Sequence, residues 1–264
     1  MTIPKVIHYC WFGGNPLPDS AKQCINSWEK YCPDYEIKRW DESNYDIHSC
    51  KYIEQAYKSK KWAFVSDYAR MDILYRYGGV YLDTDVELIK SLDEIINKGA
   101  FMGMEKDYES NGYCLVNSGL GIGSESNNPI YKEVLDYYQN IDFINKDGTL
   151  NLITVVEYVS NILRKHGFKD VAGIQNVKGI YIYPKEYFCP KDVDTHELKI
   201  TNNTISIHHY DSSWGEWYDR AVVKRGEKLI KIFGVKLGNK INSFIYFIQK
   251  FGLKGLIIKF KRSK

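Results

Sequence analysis

The chain has 264 residues and a formal net charge of +3, with 44% hydrophobic and 26% charged residues. This size and composition are typical of one large folded domain, with or without an appendage, and exclude disordered and fibrous proteins. No apolar run reaches the ~18 residues of a membrane-spanning helix. The N-terminal sequence lacks a signal-peptide pattern, and the six cysteines form no CxxC pair, so we expect a cytoplasmic protein with free thiols.

The first 61 residues predict strands that alternate with helices. Residues 3–12 (IPKVIHYCWF) predict a strand that ends at Gly13-Gly14, residues 20–31 a helix, residues 35–40 (YEIKRW) a second strand and residues 50–61 a second helix. This alternation indicates an α/β domain with parallel pairing of its strands.

The next segment, FVSDYARMDILYRYGGVYLDTDV, predicts a helix that is followed at once by a short strand. Ser66 is the expected N-cap, Asp67 suits the first helical turn, and Gly78-Gly79 is expected to end the helix. Later elements are predicted as a strand and Gly-rich loop at 114–124, helices at 129–140 and 150–166, and strands at 180–188 and 204–210.

The strand at 80–82 leads into Asp83 and Asp85, which form an Asp-x-Asp triplet. Chance alone gives about one such triplet in a chain with 18 aspartates, and Asp192-Val193-Asp194 is a second one without a preceding strand. Ligand sites in open α/β sheets lie beyond the carboxyl ends of strands. Carboxylates there suit Mg²⁺ or Mn²⁺ holding a diphosphate. This context leaves two interpretations open, a metal site and solvated surface acid.

Three segments resemble one enzyme family. VSDYARMDILYRYGGVYLDTDV resembles the DXD block of sugar-nucleotide-dependent glycosyltransferases of the capsular-polysaccharide and initiating-mannosyltransferase type, and clostridial glucosylating toxins are similar here. IPKVIHYCWFGG is similar to the first strand of that family, and ISIHHYDSSW to its closing motif. The matches span about residues 3–214. They imply a GT-A (Rossmann-like) fold, with a mixed, mainly parallel sheet flanked by helices, for a catalytic domain that we place at residues 1–222.

The resemblance assigns the metal site to four residues. It implies that Asp85 binds Mn²⁺ or Mg²⁺ directly and that Asp83 shares this site or contacts the sugar or ribose of the donor. By the same resemblance His209 and Ser212 face the metal. His209 is chosen over His208 from its spacing to Trp214, and either histidine alone could instead be a core residue.

The resemblance also implies a donor-binding set. Asp67 and Arg70, three residues apart on one helix face, would contact the hydroxyls of the donor sugar, although a weak surface ion pair is the other interpretation. Trp11 would stack on the nucleobase, or it is a core residue. Asn117 would contact donor sugar or acceptor, and Trp214 would reach the diphosphate.

The C-terminal segment differs in composition from the rest of the chain. Residues 221–264 carry twelve Lys/Arg against one acid, Glu227. Within this region, residues 224–264 interleave the basic residues with Ile, Leu and Phe, which is typical of an amphipathic helix on an anionic membrane surface. Nucleic acid is disfavoured by the large aliphatic content. The alternative is a helix packed on the domain, and we treat residues 223–264 as a tail.

We therefore predict a retaining, metal-dependent hexosyltransferase in the synthesis of capsular or other cell-surface polysaccharide. It would use a UDP- or GDP-linked sugar, act on a glycan that is carried by a lipid, and lie at the inner face of the membrane. A metal-dependent hydrolase of nucleotide sugars or phosphoesters, or a non-catalytic sugar-nucleotide-binding module, are the alternatives.

Overall fold

The computed structural model describes residues 2–192, 195, 197–211 and 217–252. Contacts divide the chain into two compact units, Met1–Pro190 with Ile200–His208, and Lys191–Lys199 with His209–Lys264. The first unit contains the sheets and the second a long C-terminal helix. The predicted division between residues 222 and 223 stays a prediction.

Short strands build the first unit. In the described part of the chain they are β1 (Val6–Cys10), β2 (Glu36–Trp40), β3 (Gly79–Tyr81), β4 (Val86–Leu88), β5 (Phe101–Lys106), β6 (Leu115–Ser124), β7 (Gln175–Val177), β8 (Ile180–Tyr183) and β9 (Ser206–His208).

Helices connect these strands. The described helices are α1 (Asp19–Tyr31), α2 (Lys51–Lys58), α3 (Trp62–Tyr77), α4 (Asp93–Ile96), α5 (Tyr108–Asn111), α6 (Pro129–Gln139), α7 (Val155–Lys165), α8 (Lys185–Phe188) and α9 (Trp217–Phe251). No helix in these ranges is long and apolar enough to span a membrane.

Seven strands form the main sheet in the order β2-β1-β3-β6-β5-β8-β7. β1 pairs in parallel with β2 and β3, and β5 pairs in parallel with β8. β6 and β7 are antiparallel to their neighbours, so five of the seven strands run in one direction. A separate two-stranded sheet pairs β4 with β9. This architecture confirms the predicted mixed, mainly parallel α/β fold.

Helix α3 begins earlier than the sequence predicts. Ser66 lies inside the helix and donates its hydroxyl to the Trp62 carbonyl at 3.1 Å, so the predicted N-cap is wrong. Asp67 is therefore not in the first turn. The helix is buried on almost every side, among others at Val65, Met71 and Leu74. An interior helix lacks the polar face that would mark its start in the sequence.

Other boundaries also differ from the prediction. Residues 115–124 form one continuous strand, β6, rather than a strand and a loop, and residues 180–188 divide into β8 and the short helix α8. Strands β4 and β5 were not predicted. β4 has only three residues, which is too short for a periodic pattern to be recognised.

Candidate functional site

His8 of β1 holds the turn between α3 and β3 by a hydrogen bond to Gly78. The Trp40 indole donates to His8 Nδ1 at 3.0 Å, so Nε2 carries the hydrogen and donates to the Gly78 carbonyl at 3.0 Å. Burial lowers the pKa of His8 to about 4, which keeps it neutral. A Cβ on Gly79 (φ 98°) would lie 2.9 Å from His8 Nε2. The Gly-Gly pair is thus required both for its positive φ and for this close approach.

Asp83 and Asp85 lie where the sequence predicts, just beyond the carboxyl end of β3. The register pairs His8 with Tyr81 across β1 and β3. Trp11 follows β1 directly, and so it lies at the same edge of the sheet as the two aspartates. The α1 residue Trp28 donates its indole N–H to the Val86 carbonyl at 2.7 Å and fixes the start of β4. The aspartates are therefore held between two anchored strands.

A third potential metal ligand reaches the aspartates from β9. Val86 pairs with His208 across the β4–β9 ladder, and His208 Nε2 lies 3.2 Å from Asp85 Oδ1. Among the described residues, Asp83, Asp85 and His208 form a group whose ligand atoms all lie within 4.8 Å of one another. Burial opposes protonation of His208, but the carboxylates of Asp85, Asp83 and Glu105 outweigh it and raise its pKa. A cation bound in this group would take the neutral form of the His208 imidazole as its ligand.

The histidine in this group is His208. The residue predicted from the spacing to Trp214 was His209, which is not part of the group. His208 is the last residue of β9, and His209 follows the strand. Only the pairing with β4 decides which of them faces the aspartates. Ser212 and Trp214, predicted from the closing motif, lie outside the described residues.

Arg70 links helix α3 to Asp83. Its side chain is only 4% exposed, and its Nη2 lies 3.1 Å from Asp67 Oδ1 and 2.9 Å from Asp83 Oδ1. The Tyr81 hydroxyl donates to the same Asp83 oxygen at 3.1 Å, and the guanidinium carbon lies 4.9 Å from the Tyr81 ring centroid. The alternative of a weak surface ion pair is excluded, because both Arg70 and Asp67 are buried.

Asp67 is the second carboxylate that contacts Arg70. Burial has the largest effect on the pKa of Asp67 and raises it. The negative charge of Asp83 also raises this pKa, whereas Arg70 lowers it, and the result is a pKa of about 6. Asp67 is 8% exposed and Arg70 is 4% exposed. Arg70 therefore contacts the carboxylates of both Asp67 and Asp83, and its contact with Asp83 orients that carboxylate.

Gly119 of β6 brings the backbone against the same aspartate. Its carbonyl accepts from the Asp83 N–H at 3.0 Å. A Cβ at this position would lie 2.0 Å from Asp83 Oδ2 and 2.9 Å from Arg70 Nη1. Only glycine leaves room for the carboxylate here, a requirement that the sequence does not reveal.

Asn117 and Glu105 form a polar pair next to Gly119. Asn117 Nδ2 donates to Glu105 Oε2 at 3.1 Å, and Asn117 Oδ1 accepts from the Gly119 N–H at 2.8 Å. The β5–β6 register shifts between Met102 and Gly103 and again between Met104 and Lys106, where Glu105 lies. Such bulges commonly direct side chains at functional sites. Glu105 was not predicted as a site residue. The only indication of it in the sequence is an acidic residue in the otherwise apolar stretch before Lys106, FMGMEK.

Trp11 is 9% exposed, and its indole N–H donates to the Asn15 carbonyl at 2.7 Å. A nucleobase could therefore contact only the ring. The predicted stacking role of Trp11 and the predicted substrate contacts of Asp67, Arg70 and Asn117 stay predictions.

Comparison with known proteins gives a family match over part of the chain. Residues 18–102 match the family described as "Glycosyltransferase sugar-binding region containing DXD motif". This match includes α3, Asp83 and Asp85, and it confirms the resemblance stated from the sequence.

Curated relatives match a similar fraction. Inositol phosphoceramide mannosyltransferase 3 of Schizosaccharomyces pombe is 34% identical over 112 residues, which cover 38% of this chain and 29% of that protein. The uncharacterized glycosyltransferase L373 of Acanthamoeba polyphaga mimivirus is 27% identical over 159 residues, or 57% of this chain and 59% of the relative. The chain thus spans about a third of the length of the yeast relative and somewhat more than half of the viral one.

Among solved structures, the PaToxG glycosyltransferase is similar with a TM-score of 0.47 and 22% identity, covering 62% of this chain and 70% of that one.

Proposed function

Because residues 18–102 carry the DXD-containing sugar-binding region of glycosyltransferases, we propose that the chain transfers a sugar from a nucleoside diphosphate sugar to a hydroxyl group of a glycan. The observation that supports this most is the convergence of Asp83, Asp85 and His208 within 4.8 Å at the carboxyl end of β3. Two of these residues come from the sequence motif, and the third comes from a distant strand that the motif does not include.

The three side chains fit a divalent cation by their chemistry. Two carboxylates are suitable ligands for Mn²⁺ and Mg²⁺, and the imidazole favours Mn²⁺ because Mg²⁺ takes oxygen ligands almost exclusively. Asp85 and His208 would hold the ion directly, with Asp83 as a third ligand or as a contact to the donor. When bound, the cation supplies positive charge to the diphosphate that leaves.

The protein's own contribution is to hold these ligands in place. Arg70 and the Tyr81 hydroxyl both contact Asp83 Oδ1, and Asp83 Oδ2 lies against Gly119. Asp67 contacts the same nitrogen of Arg70, Nη2, and holds it in place as well. A ligand set held in this way does not have to rearrange when the donor binds, which is the main source of rate enhancement in charge-stabilising sites.

The proposed transfer is a single displacement on one face of the sugar. The bond between the anomeric carbon and the diphosphate oxygen breaks while the acceptor oxygen bonds to that carbon. The acceptor proton passes to the departing phosphate oxygen. Because attack and departure occur on the same face, the product retains the anomeric configuration.

Glu105 is the carboxylate that this scheme does not otherwise use. Its Oε2 accepts from Asn117, and its charge acts on His208. We place it, together with Asn117, on the sugar side of the site, where a carboxylate and an amide can bind sugar hydroxyls.

The acceptor we propose is a glycan carried by a lipid. Two of the matched relatives are named for mannosyl transfer to inositol phosphoceramide, a lipid. The basic, apolar sequence of residues 224–264 adds a second reason to place the acceptor at a membrane. A hexose donor linked to GDP or UDP is therefore the first to test, with capsular or other cell-surface polysaccharide as the product.

A hydrolase with the same metal site is the competing function. Incubation of Mn²⁺ and a panel of UDP- and GDP-hexoses, with and without candidate glycans, separates the two by whether the sugar ends on glycan or in water. Asp85→Asn should lower transfer at least about 100-fold, since it removes a charged ligand. Asp192→Asn is the matched control from the second Asp-x-Asp triplet and should keep full activity. Undiminished transfer by Asp85→Asn would falsify the proposal.

A further inference from the structure

The C-terminal helix α9 is a hairpin. At Gly234 the backbone leaves the helical conformation (φ 72°, ψ 166°). Asn242 Nδ2 donates to the Val222 carbonyl at 2.8 Å. Twenty residues along an unbroken helix would separate these groups by about 30 Å. The segments before and after Gly234 must therefore fold back on one another.

Partly buried polar contacts hold the two arms together. Arg225 Nε donates to Asn242 Oδ1 at 2.8 Å, and Arg225 Nη1 donates to Gln249 Oε1 at 2.9 Å. Asn242 is 9% exposed. A Cβ on Gly238 would lie 2.8 Å from the backbone of Leu229 and Ile230, so the arms touch closely near the bend. These contacts specify one geometry for the hairpin.

The bend carries an exposed apolar surface. Residues 231–237 are all exposed. Four of them are large and apolar, with exposed fractions of 71% at Ile232, 48% at Phe233, 41% at Val235 and 51% at Leu237. We call residues 231–237 the hairpin tip. Such a contiguous exposed cluster is unusual on a soluble protein and marks an interaction surface.

Positive charge surrounds the hairpin tip. Residues 228–240 contain four lysines and no acidic residue. Lys231 and Lys236 lie within the tip itself and are exposed, as are Lys228 and Lys240 on the arms. Long lysine side chains can keep their ammonium groups at the level of lipid headgroups while the apolar residues beside them enter the acyl region.

We propose that the hairpin tip inserts into the headgroup–acyl boundary of a bilayer that contains anionic lipids. The apolar residues enter on the order of 5–10 Å, and the lysines bind the anionic headgroups. This differs from the predicted helix lying along the surface over residues 224–264, because the contact is confined to one bend. The inference does not depend on the chemistry of the Asp83–Asp85–His208 group.

Flotation of the full chain tests the inference. Vesicles of phosphatidylcholine with phosphatidylserine, and of phosphatidylcholine alone, are mixed with the wild type and with the double variant Ile232→Ser/Phe233→Ser. We expect the wild type to float with the anionic vesicles and the variant to partition at least about tenfold less, because two large apolar side chains no longer enter the bilayer. Lys231→Gln/Lys236→Gln should weaken binding only to the anionic vesicles.

The matched control is Leu152→Ser/Ile153→Ser. These two residues are exposed by 58% and 47%, similar to the tip residues, but lie in the first unit. The control should float like the wild type. The melting temperature and the binding of Mn²⁺ with UDP or GDP should be unchanged in both double variants, because all four side chains are exposed. Hydrogen exchange with vesicles present should slow at residues 231–237 and not at 148–153.

Several results would overturn the inference. They are flotation of the tip variant within about twofold of the wild type, an equal loss in the control, and no flotation of the wild type. Self-association of the wild type that the tip substitutions abolish, without flotation, would assign the tip to a second copy of the chain instead.

Discussion

Replacing Gly119 by alanine tests whether the placement of Asp83 controls the site. The backbone at Gly119 does not have a positive φ, so alanine introduces no backbone strain there. The new Cβ would lie 2.0 Å from Asp83 Oδ2, whereas ordinary contacts begin at 3.4 Å. The Asp83 carboxylate must therefore move by about 1 Å or more, since the Asp83 N–H is also bonded to the Gly119 carbonyl.

The size of the effect follows from the bonds that Asp83 makes. Movement of this size breaks its 2.9 Å contact with Arg70, a hydrogen bond between charged groups that contributes about 1.5–3 kcal/mol. A displacement of about 1 Å in a catalytic group lowers the rate on the order of 100-fold. We therefore expect Gly119→Ala to lose about 100-fold in sugar transfer and about tenfold or more in affinity for Mn²⁺ with a nucleoside diphosphate.

Two measurements check this expectation. Thermal unfolding with increasing Mn²⁺ and UDP or GDP reports the affinity, because a ligand that binds only the folded state raises the melting temperature. Transfer from a labelled nucleotide sugar reports the rate. Both are made on the full chain.

Gly123→Ala is the matched control on the same strand. Its Cβ would lie 2.4 Å from the Phe101 ring, far from any polar ligand group. This overpacking should lower the free energy of unfolding by about 1–3 kcal/mol and leave nucleotide affinity unchanged. The reasoning is refuted if Gly119→Ala binds Mn²⁺ and nucleotide like the wild type, or if Gly123→Ala loses affinity to the same extent.

Two further predictions concern His208 and Asp67. His208→Gln should lower the affinity for Mn²⁺ at least about tenfold, and His209→Gln should not; equal losses in isothermal titration would contradict the assignment. The pKa of Asp67 is raised to about 6 from 3.8, so the folded state favours its neutral form. The stabilisation that a neutral Asp67 gives the folded state is complete below the unfolded pKa of 3.8, and it is lost as the pH rises through about 6. Between pH 4 and 6 the wild type should therefore lose about 2 kcal/mol of unfolding free energy relative to Asp67→Asn. Arg70 and Asp83 are the charged groups that act on Asp67. Parallel urea curves for the two proteins would contradict this.

Local sequence patterns were sufficient for the fold class and for one edge of the site. Alternating strand and helix signals in the first 61 residues predicted the parallel β1–β2 pair and its helices. The Gly-Gly pair and the short apolar strand located Asp83 and Asp85 correctly. Both features depend on residues that are close in the chain, where propensity and periodicity carry the information.

Boundaries inside buried elements could not be predicted. The start of α3 at Trp62 was missed because the helix is buried on nearly all sides and so lacks a polar face. β4 was missed because three residues do not make a pattern.

The partners of the aspartates were decided only by the tertiary structure. Register between β4 and β9 places His208, and not His209, beside Asp85. The irregular β5–β6 ladder brings Glu105 to Asn117. Burial turns the Asp67–Arg70 pair from a surface contact into the support of Asp83.

The sequence by itself determined that the chain is a mixed α/β protein with an Asp-x-Asp edge and a basic, apolar C-terminal segment. The tertiary structure decided which groups meet at that edge and that the C-terminal segment turns back at Gly234. Composition and local spacing report what each segment can form alone. Strand register and helix contacts depend on residues far apart in the chain, whose relative positions are fixed only when the core packs.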